Sequence, residues 1–261
     1  MTAPILISVG EASGDRQAVA LIQALGPNQP CLGKVGPCLE AAGVEVVCRA
    51  EGAFGFSNLI GTYRTLRKQR DLLVERALQR GVRTAILVDY SGFHLPLGKA
   101  LRGHGIRVIG FIPPKLWAWG GWRLASARKA YDELFVILPF EADWWLQRGL
   151  NCHYVGNPIA QDCQPVESEV DGPVALLPGS RPAELGYVGP LLRSCAQRMI
   201  ERHPEVTFRV PVAPTLDRHQ VEACFDDLPI EWVDRVQTAV AGARVALVCN
   251  GTATLETALI G

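Results

Sequence analysis

The 261-residue sequence predicts an α/β fold of two units, each built around a parallel sheet. Two observations support this prediction. Short apolar runs typical of buried strands alternate with amphipathic segments typical of helices. The alternation stops once, over residues 156–172, where prolines and the acidic residues Glu167, Glu169 and Asp171 indicate a linker. We therefore predict two Rossmann-like domains, the first over residues 1–160 and the second, which is shorter, over residues 172–261.

The first domain is predicted from five apolar runs with helical patterns between them. The predicted strands are residues 5–9, 44–48, 85–88, 107–112 and 134–138, and the predicted helices are residues 17–25, 59–78, 95–102 and 123–130. The longest of these helices carries apolar residues at helical spacing, among them Tyr63, Leu66 and Leu73.

The second domain repeats the pattern on a smaller scale. Its predicted strands are residues 174–177, 207–212, 229–233 and 246–249, and its predicted helices are residues 189–202, 217–225 and 238–241, with a last helix that begins near Thr252. Two such units joined by a linker form a cleft, and parallel sheets bind ligands at the carboxyl ends of their strands. The loops that follow strands are therefore where we expect the functional residues.

Composition narrows the classes of function. Hydrophobic residues make up 48% and charged residues 20% of the chain, and the formal net charge is zero, which is ordinary for a globular enzyme and gives no reason to expect a nucleic-acid partner. The N-terminus shows no signal peptide, and no apolar stretch reaches the roughly 18 residues of a membrane span, so we expect a cytoplasmic protein. The eight cysteines form no C-x-x-C pair, and we predict no metal site.

Three strand-end loops of the first domain carry candidate residues. The loop over residues 10–15 contains Glu11, Ser13, Gly14 and Asp15, and it opens a helix whose N-terminus favours an anion or a hydroxyl-rich group. The alternative for Ser13 or Asp15 is a helix cap. Asp89 ends an apolar strand, where partial burial would raise its pKa and suit it to accept a proton; the alternative is a turn-forming aspartate.

Trp117 and Trp119 follow the next strand beside two prolines. They predict an apolar wall that packs against sugar rings or acyl chains, and the alternative is a loop that covers the core.

Two loops of the second domain predict a nucleotide site. The turn formed by Gly179, Ser180 and Arg181 follows the domain's first strand, and backbone N–H groups together with a guanidinium suit a diphosphate. Gly251 and Thr252 turn a later strand into a helix whose N-terminus suits a second phosphate oxygen, and Glu256 would accept hydrogen bonds from a ribose. The alternatives are a turn with a surface arginine and a capped helix with an acidic first turn.

Together these motifs resemble the lipid-A-disaccharide synthase family. The resemblance covers the whole chain in the family's order, through residues 10–15 (GEASGD), 116–119 (LWAW), 138–141 (LPFE), 176–181 (LLPGSR) with Glu184, and 251–256 (GTATLE). It implies a GT-B-like architecture of two Rossmann-like domains that face a cleft, and an inverting transfer without metal or other cofactor. It also implies that the donor is UDP-2,3-diacylglucosamine, the acceptor is 2,3-diacylglucosamine 1-phosphate (lipid X), and the products are the lipid A disaccharide 1-phosphate and UDP.

The resemblance also assigns roles to residues. Asp89 becomes the catalytic base, and Glu11, Ser13, Gly14 and Asp15 line the acceptor side with Trp117 and Trp119. The nucleotide is bound by Gly179, Ser180, Arg181, Gly251, Thr252 and Glu256.

Family members act at the cytoplasmic face of the inner membrane, which predicts peripheral contact with lipid. Candidates for that contact are the basic residues of the long helix (Arg64, Arg67, Lys68 and Arg70) and Trp144 and Trp145. The alternative is a solvated basic helix face with buried tryptophans. Homo-oligomerisation is left open.

The sequence also departs from the family pattern. Gly92 stands where the family has a second aspartate, so we expect Asp89 to lack a neighbouring carboxylate that tunes it. The chain stops at Gly261, inside the last predicted helix, which predicts that the second domain is incomplete and that the product is truncated, split or partial. The alternatives are therefore a catalytically inactive paralogue or another UDP-sugar enzyme, such as a UDP-N-acetylglucosamine epimerase. A nicotinamide-dependent enzyme is disfavoured because G-x-G-x-x-G is absent after the first strand.

Overall fold

The computed structural model describes residues 2–50 and 59–261. The chain divides into two compact units, Met1–Pro158 and Ile159–Gly261. Each unit is an α/β structure with its own parallel sheet, which confirms the predicted fold class. Within the described part of the chain, no helix combines the length and apolar composition that crossing a membrane requires.

The first unit contains a parallel sheet of seven strands in the order β3-β2-β1-β4-β5-β6-β7. These strands are β1 (Ile5–Val9), β2 (Cys31–Val35), β3 (Glu45–Arg49), β4 (Thr84–Val88), β5 (Arg107–Phe111), β6 (Glu133–Val136) and β7 (Asn151–Tyr154). The chain winds outward from β1 in one direction and, after crossing to β4, outward in the other. The strand order therefore reverses between β1 and β4, the position at which open α/β sheets bind ligands.

The helices of the first unit cover both faces of this sheet. They are α1 (Ala12–Leu25), α2 (Pro37–Ala41), α3 (Leu59–Gln79), α4 (Ser91–Gly103), α5 (Leu124–Ala130) and α6 (Pro139–Leu146), and a short 3₁₀ turn over Gly121–Arg123 precedes α5. Successive residues of β4 face opposite cores: Leu87 packs in one buried cluster, and Ile86 and Val88 pack in the other. Burial on both faces explains why β4 reads as a continuous apolar run rather than as an alternating one.

The second unit contains a parallel sheet of four strands in the order β10-β9-β8-β11. The strands are β8 (Val174–Leu177), β9 (Phe208–Pro211), β10 (Ile230–Val233) and β11 (Val245–Val248), and the helices are α7 (Ile159–Asp162), α8 (Pro182–Arg202), α9 (Arg218–Cys224), α10 (Val236–Val240) and α11 (Thr252–Ile260). Here the order reverses between β8 and β11, and Leu177 lies opposite Val248 at the carboxyl ends of the two strands.

Among the helices and strands described, five were not predicted from the sequence: β2, α2, α6, β7 and α7. Strand β2 was missed because Gly33 and Lys34 interrupt its apolar pattern. Gly33 is required by close packing, since a Cβ atom there would lie 1.7 Å from the carbonyl oxygen of Ile7. Lys34 is only 2% exposed, and its ammonium group donates to Gln69 Oε1 at 2.7 Å and lies 4.5 Å from the centre of the Phe93 ring.

Three predicted helices begin several residues earlier than expected. Helix α1 starts at Ala12, α4 starts at Ser91 and α8 starts at Pro182. Glycines in the first turns of α1 and α4 concealed two of these starts, and Pro182 concealed the third, although proline at the first position suits a helix because the N–H group it lacks has no intrahelical partner there.

The segment expected to be a linker also packs on the second unit. Cys163 is buried in a core cluster of that unit, and the Val166 N–H donates to the carbonyl oxygen of Ile260 at 2.7 Å.

Candidate functional site

The first candidate region lies at the carboxyl ends of β1, β4 and β5. The register pairs Val9 with Val88 and Val88 with Phe111, so the loops that follow these strands begin at the same level. Gly10 is needed at this point because a Cβ atom there would lie 2.1 Å from Cγ of the Tyr90 side chain. The sheet thus brings the loop after β1 directly against the loop after β4.

Asp89 lies on an unusual turn in this region. Asp89 and Tyr90 are consecutive non-glycine residues in the left-handed region, with φ values of 53° and 47°, and Ile112 at the end of β5 has a φ of 56°. Such residues cost roughly 1–3 kcal/mol each and persist only where surrounding contacts hold them. The turn places the Asp89 carboxylate so that its Oδ1 atom accepts the Tyr90 N–H at 2.8 Å.

The surroundings of the Asp89 carboxyl group favour its protonated form. The largest influence is the removal of the carboxyl group from bulk water by neighbouring protein atoms, which raises the pKa of Asp89. The residue as a whole nevertheless keeps an exposed part. The Glu11 carboxylate raises the pKa further. The Tyr90 N–H and the Lys115 ammonium oppose this shift. The expectation that Asp89 has no neighbouring carboxylate is therefore wrong, because Glu11 from the loop after β1 supplies one.

Asp15 has a structural contact that the sequence reasoning did not identify. It is 1% exposed, and its carboxylate accepts N–H groups from Gly36 at 2.9 Å, Cys38 at 2.8 Å and Leu39 at 3.3 Å. These are backbone donors at the start of α2, so Asp15 caps that helix rather than α1. Its carboxylate oxygens face the protein interior, so Asp15 shapes the loop through these hydrogen bonds.

The other residues of this loop have different environments. Ser13 and Glu11 are half-buried. Gly14 is buried where α1 packs on β4, and a Cβ atom there would make ordinary contact with Val88 Cγ1 at 3.6 Å. Ser13 and Glu11 therefore remain the residues of this loop that are open to a ligand.

Trp117 and Trp119 extend from the loop after β5. They are 37% and 67% exposed, so they do not simply cover the core. Glu141 fixes the Trp117 ring: its Oε1 atom accepts the indole N–H at 2.7 Å, while its Oε2 atom accepts the Leu138 N–H at 3.3 Å, at the start of α6. Trp117 also meets the half-exposed Phe140 ring edge-on at 4.8 Å.

The expectation that Trp144 and Trp145 contact lipid is wrong for Trp145, which is 0% exposed in the core of the first unit. Trp144 is partly buried against the same core, and the Arg148 guanidinium lies 3.9 Å from the centre of its ring.

The second candidate region lies at the carboxyl ends of β8 and β11. Gly179 has a φ of 103°, and a Cβ atom there would lie 3.3 Å from Cys249 Sγ, which shows how closely the loops after the two strands approach. The Cys249 N–H donates to the Leu177 carbonyl at 2.9 Å and extends the pairing to the loop. The turns that contain Ser180 and Gly251 are thus neighbours within this unit.

Ser180 and Arg181 direct several donors toward one point, and a carboxylate occupies it. Glu184 Oε2 accepts the Ser180 N–H at 2.8 Å and the Arg181 N–H at 3.2 Å, and Glu184 Oε1 accepts Arg181 Nη1 at 3.1 Å. The loop therefore binds an anion in the structure, and that anion is the protein's own side chain. A neighbouring residue, Thr215, supports the loop by donating its hydroxyl to the Ser180 carbonyl at 2.5 Å.

Residues 251–256 form the turn into α11. Gly251 precedes the helix, and its N–H donates to Thr254 Oγ1 at 3.3 Å. Thr252 is exposed at the first position of the helix, and Glu256 is half-buried one turn later. The pairing of β8 with β11 brings these groups to the same end of the sheet as the turn at Ser180.

Sequence reasoning missed the roles of Glu141, Glu184 and Thr215. For the two glutamates a signal exists: each follows a proline by two residues, in Pro139-Phe140-Glu141 and Pro182-Ala183-Glu184. Proline at the first helical position and glutamate at the third is a capping pattern. Thr215 follows a different strand, 35 positions from Ser180, and no local pattern indicates their contact.

Neither region offers a metal site. Among residues 2–50 and 59–261, no three His, Cys, Asp or Glu side chains are grouped so that they could hold a metal ion.

Comparison with known proteins places the chain in a family. A family model described as lipid-A-disaccharide synthetase matches residues 5–261. The lipid-A-disaccharide synthase of Pseudomonas syringae pv. tomato is 35% identical over 281 residues, which span 99% of this chain and 74% of that protein. That of Myxococcus xanthus is 33% identical over 281 residues, which span 100% of this chain and 73% of that protein.

Solved structures support the fold independently of sequence. S. aureus MnaA in complex with UDP aligns with a TM-score of 0.67 at 11% identity and covers 98% of this chain and 77% of its own. A calicheamicin glycosyltransferase aligns with a TM-score of 0.62 at 15% identity, with 98% and 77% coverage. The fold is therefore GT-B-like, an architecture that both glycosyltransferases and epimerases use. By the family match and the relatives above 30% identity, the chain belongs to the lipid-A-disaccharide synthase family, whose members are glycosyltransferases of lipid A biosynthesis.

Proposed function

We propose that the chain transfers the sugar of UDP-2,3-diacylglucosamine to 2,3-diacylglucosamine 1-phosphate and releases UDP. Family membership supports the reaction class. The observation that carries the assignment to specific residues is the Asp89 carboxyl group, which lies at the β1/β4 reversal on a strained turn with a raised pKa. The proposal places acceptor activation in the first unit and nucleotide binding in the second.

In the proposed reaction Asp89 acts as general base. Its carboxylate removes the proton from the acceptor's 6-hydroxyl group as that oxygen bonds to the anomeric carbon of the donor. The bond between the anomeric carbon and the diphosphate oxygen breaks, its electron pair leaves with UDP, and the proton remains on Asp89. A raised pKa makes the carboxylate a stronger base, and such catalysis contributes roughly 10²–10⁴-fold.

In the second unit the nucleotide diphosphate would replace the Glu184 carboxylate. The Ser180 and Arg181 N–H groups and the Arg181 guanidinium already converge on an anion, and these donors would stabilise charge on the leaving group. The N-terminus of α11 at Thr252 adds a second site for a phosphate oxygen, and Glu256 would accept from the ribose. Since the relatives with a solved structure include proteins bound to UDP, UDP is the natural probe for this unit.

The activity is tested by following UDP release with purified chain, the UDP-diacyl sugar and lipid X. We expect release that requires the acylated acceptor, together with a disaccharide product. Release or epimerisation without acceptor would contradict the synthase and favour an epimerase. A chain that binds UDP in a titration but releases none with both substrates would favour the inactive paralogue.

We further propose that the first unit contacts a lipid surface through an aromatic patch formed by Trp117, Trp119, Trp122 and Phe140. Their side chains are 37%, 67%, 79% and 50% exposed, which is costly in water and favourable at a membrane interface. The basic residues Arg64, Arg67 and Lys68 on α3 are also exposed, and each such charge near anionic lipid contributes about 1 kcal/mol.

Co-sedimentation with vesicles of phosphatidylethanolamine and phosphatidylglycerol tests this contact. We expect Trp119→Ser with Trp122→Ser to release the chain from vesicles, and Tyr187→Ser to leave binding unchanged, since Tyr187 is 81% exposed on the other unit. Equal binding by the double variant would remove the aromatic patch as the contact surface.

A further inference from the structure

We propose that His94 is a positioning residue that holds the strained turn carrying Asp89. The inference rests on the proposed role of Asp89 as base, and it adds a residue that neither the sequence motifs nor the proposed reaction assign. His94 lies in the first turn of α4, is 0% exposed, and contacts both strand β1, at Ser8, and the loop after β4, at Asp89.

The hydrogen bonds of His94 determine its protonation. Its Nδ1 atom lies 2.5 Å from the Asp89 carbonyl oxygen, and its Nε2 atom lies 2.9 Å from Ser8 Oγ on β1. A carbonyl oxygen only accepts, so Nδ1 carries the proton and donates it. Nε2 of the neutral ring is then the acceptor, and the Ser8 hydroxyl donates to it. The Asp89 carbonyl thus fixes the tautomer, and the Ser8 hydroxyl satisfies the bare Nε2 atom.

The surroundings keep this ring neutral. Complete burial is the largest influence, and although the Asp89 carbonyl opposes the shift, burial and the nearby Lys34 ammonium together lower the pKa of His94 to about 3. Two aromatic rings also lie near the imidazole: the Tyr90 ring at 6.0 Å and the Phe93 ring at 5.7 Å, measured between ring centres. In a charged imidazole Nε2 would also carry a proton, and the Ser8 hydroxyl would have to accept instead of donate.

The strain of the turn explains why such a contact is needed. Two consecutive residues, Asp89 and Tyr90, hold a backbone conformation that side chains disfavour. The turn is tied to the sheet by the Asp89 N–H, which donates to Phe111 O at 3.0 Å, and to α4 by the His94 N–H, which donates to Tyr90 O at 3.1 Å. The imidazole is the side chain that fixes the Asp89 peptide carbonyl. Without it, we expect the turn to relax and the Asp89 carboxyl group to move from the place where it accepts the Tyr90 N–H.

Three variants of the full chain test the inference. His94→Asn keeps a donor near the position of Nδ1, because the amide nitrogen of asparagine is bonded to Cγ as Nδ1 is in histidine. His94→Gln places its amide one bond further out, near Nε2, and so keeps a partner for Ser8 but not for Asp89. His94→Leu removes both contacts and reports the effect of packing alone.

We expect a misplaced carboxyl group to slow the chemical step without weakening substrate binding. The kcat of His94→Gln and His94→Leu should fall about 100-fold, with KM within about twofold of the unaltered chain, and His94→Asn should recover most of kcat. A merely structural residue would lower the unfolding temperature and leave kcat per folded molecule unchanged. Folded His94→Gln with full kcat, or His94→Asn no better than His94→Gln, overturns the proposal.

A second measurement separates this inference from the proposed reaction. Nitrogen NMR of the unaltered chain at pH 6–8 should show His94 neutral, with Nδ1 protonated and Nε2 bare. The opposite tautomer, or a cationic ring, overturns the inference whatever the activity. If the unaltered chain releases no UDP with both substrates while His94 has the expected tautomer, the proposed reaction fails and the positioning of the turn stands.

Discussion

At the scale of single residues, three carboxylates have the same task. Asp15, Glu141 and Glu184 each accept backbone N–H groups at the start of a helix. Each also makes a contact beyond a simple cap: Asp15 joins α1 to α2, Glu141 orients Trp117, and Glu184 holds the Arg181 guanidinium. These side chains shape the candidate sites by fixing loops, and Glu184 in addition occupies donors that a diphosphate would use.

Arg181 and Glu184 should have opposite effects on UDP affinity. Arg181→Ala removes a guanidinium that binds phosphate oxygens, and we expect the Kd for UDP to rise about tenfold or more. Glu184→Gln removes a negative charge that competes for the same donors, and we expect the Kd to fall several-fold. Isothermal titration calorimetry measures both. Arg198→Ala, on the exposed face of the same helix, is the matched control, and tighter binding by Arg181→Ala would refute the assignment.

His94 should make stability depend on pH in a defined window. In the folded chain its pKa is about 3 and in the unfolded chain about 6.5, so between these values only the unfolded state takes up the proton. The stabilisation is complete above pH 6.5 and is lost, by up to about 1.4 kcal/mol per pH unit, as the pH falls toward 3. Urea unfolding between pH 7.5 and 4.5 gives the free energy of unfolding at each pH. We expect this free energy to change less with pH in His94→Asn than in the unaltered chain. An equal change with pH in both would mean that the ring is protonated in the folded chain.

At the scale of elements, helix α2 has no recognisable helical pattern in its sequence and is stabilised by a contact with a residue far along the chain. The helix has five residues and begins with Pro37, and backbone N–H groups at its start donate to the buried carboxylate of Asp15 from α1, which lies 21 to 24 positions earlier. Its partner strand β2 carries a buried lysine. Neither element has a period that sequence reasoning recognises, and both are stabilised by contacts with residues far along the chain.

Replacing the Asp15 carboxylate should destabilise the first unit. Asp15→Asn leaves one oxygen for three N–H donors and brings amide hydrogens against them, and we expect the free energy of unfolding to fall by about 1.5–3 kcal/mol. Thermal and urea unfolding provide the measurement. Asp71→Asn, which removes an exposed ion pair with Arg70, should change stability by less than about 1 kcal/mol. A similar loss in both variants would show that the cap is unimportant.

The elements that were predicted correctly are those whose signal is local. Strands β1, β4 and β8 are apolar runs buried on both faces, and α3 and α11 have the expected starts. The sequence also predicted which loops carry the candidate residues, because loop position follows from strand position. It did not show where side chains point: Asp15 turns inward, and Glu11 approaches Asp89 across two strands that are far apart in sequence.

At the scale of the whole molecule, each unit places its candidate residues where its strand order reverses. In the first unit the reversal lies between β1 and β4, which carry Glu11 and Asp89, and in the second it lies between β8 and β11, which carry Ser180 and Thr252. The diverging connections leave a gap above the strand ends at such a reversal, and this is a property of topology rather than of particular side chains. The positions of both sets of candidate residues are therefore explained by the same rule, which places ligand sites where the strand order of a parallel sheet reverses.

Hydrogen exchange with and without UDP tests the proposal that the second unit, and not the first, binds the nucleotide. We expect UDP to slow exchange of amides in residues 179–184 and 250–254, since the ligand stabilises the state that binds it. Amides of residues 31–35 and 84–88 in the first sheet serve as the internal control and should be unchanged. Protection confined to the first unit would place the nucleotide there and reverse the assignment.

The catalytic role of Asp89 is tested most directly by acceptor-dependent UDP release in Asp89→Asn. We expect its kcat to fall by about 10²–10⁴-fold while its Kd for UDP stays unchanged, because the amide keeps the size of the side chain and cannot accept the proton. Asp143→Asn, an exposed aspartate on α6, should retain full activity. Turnover by Asp89→Asn that equals the unaltered chain would contradict the account.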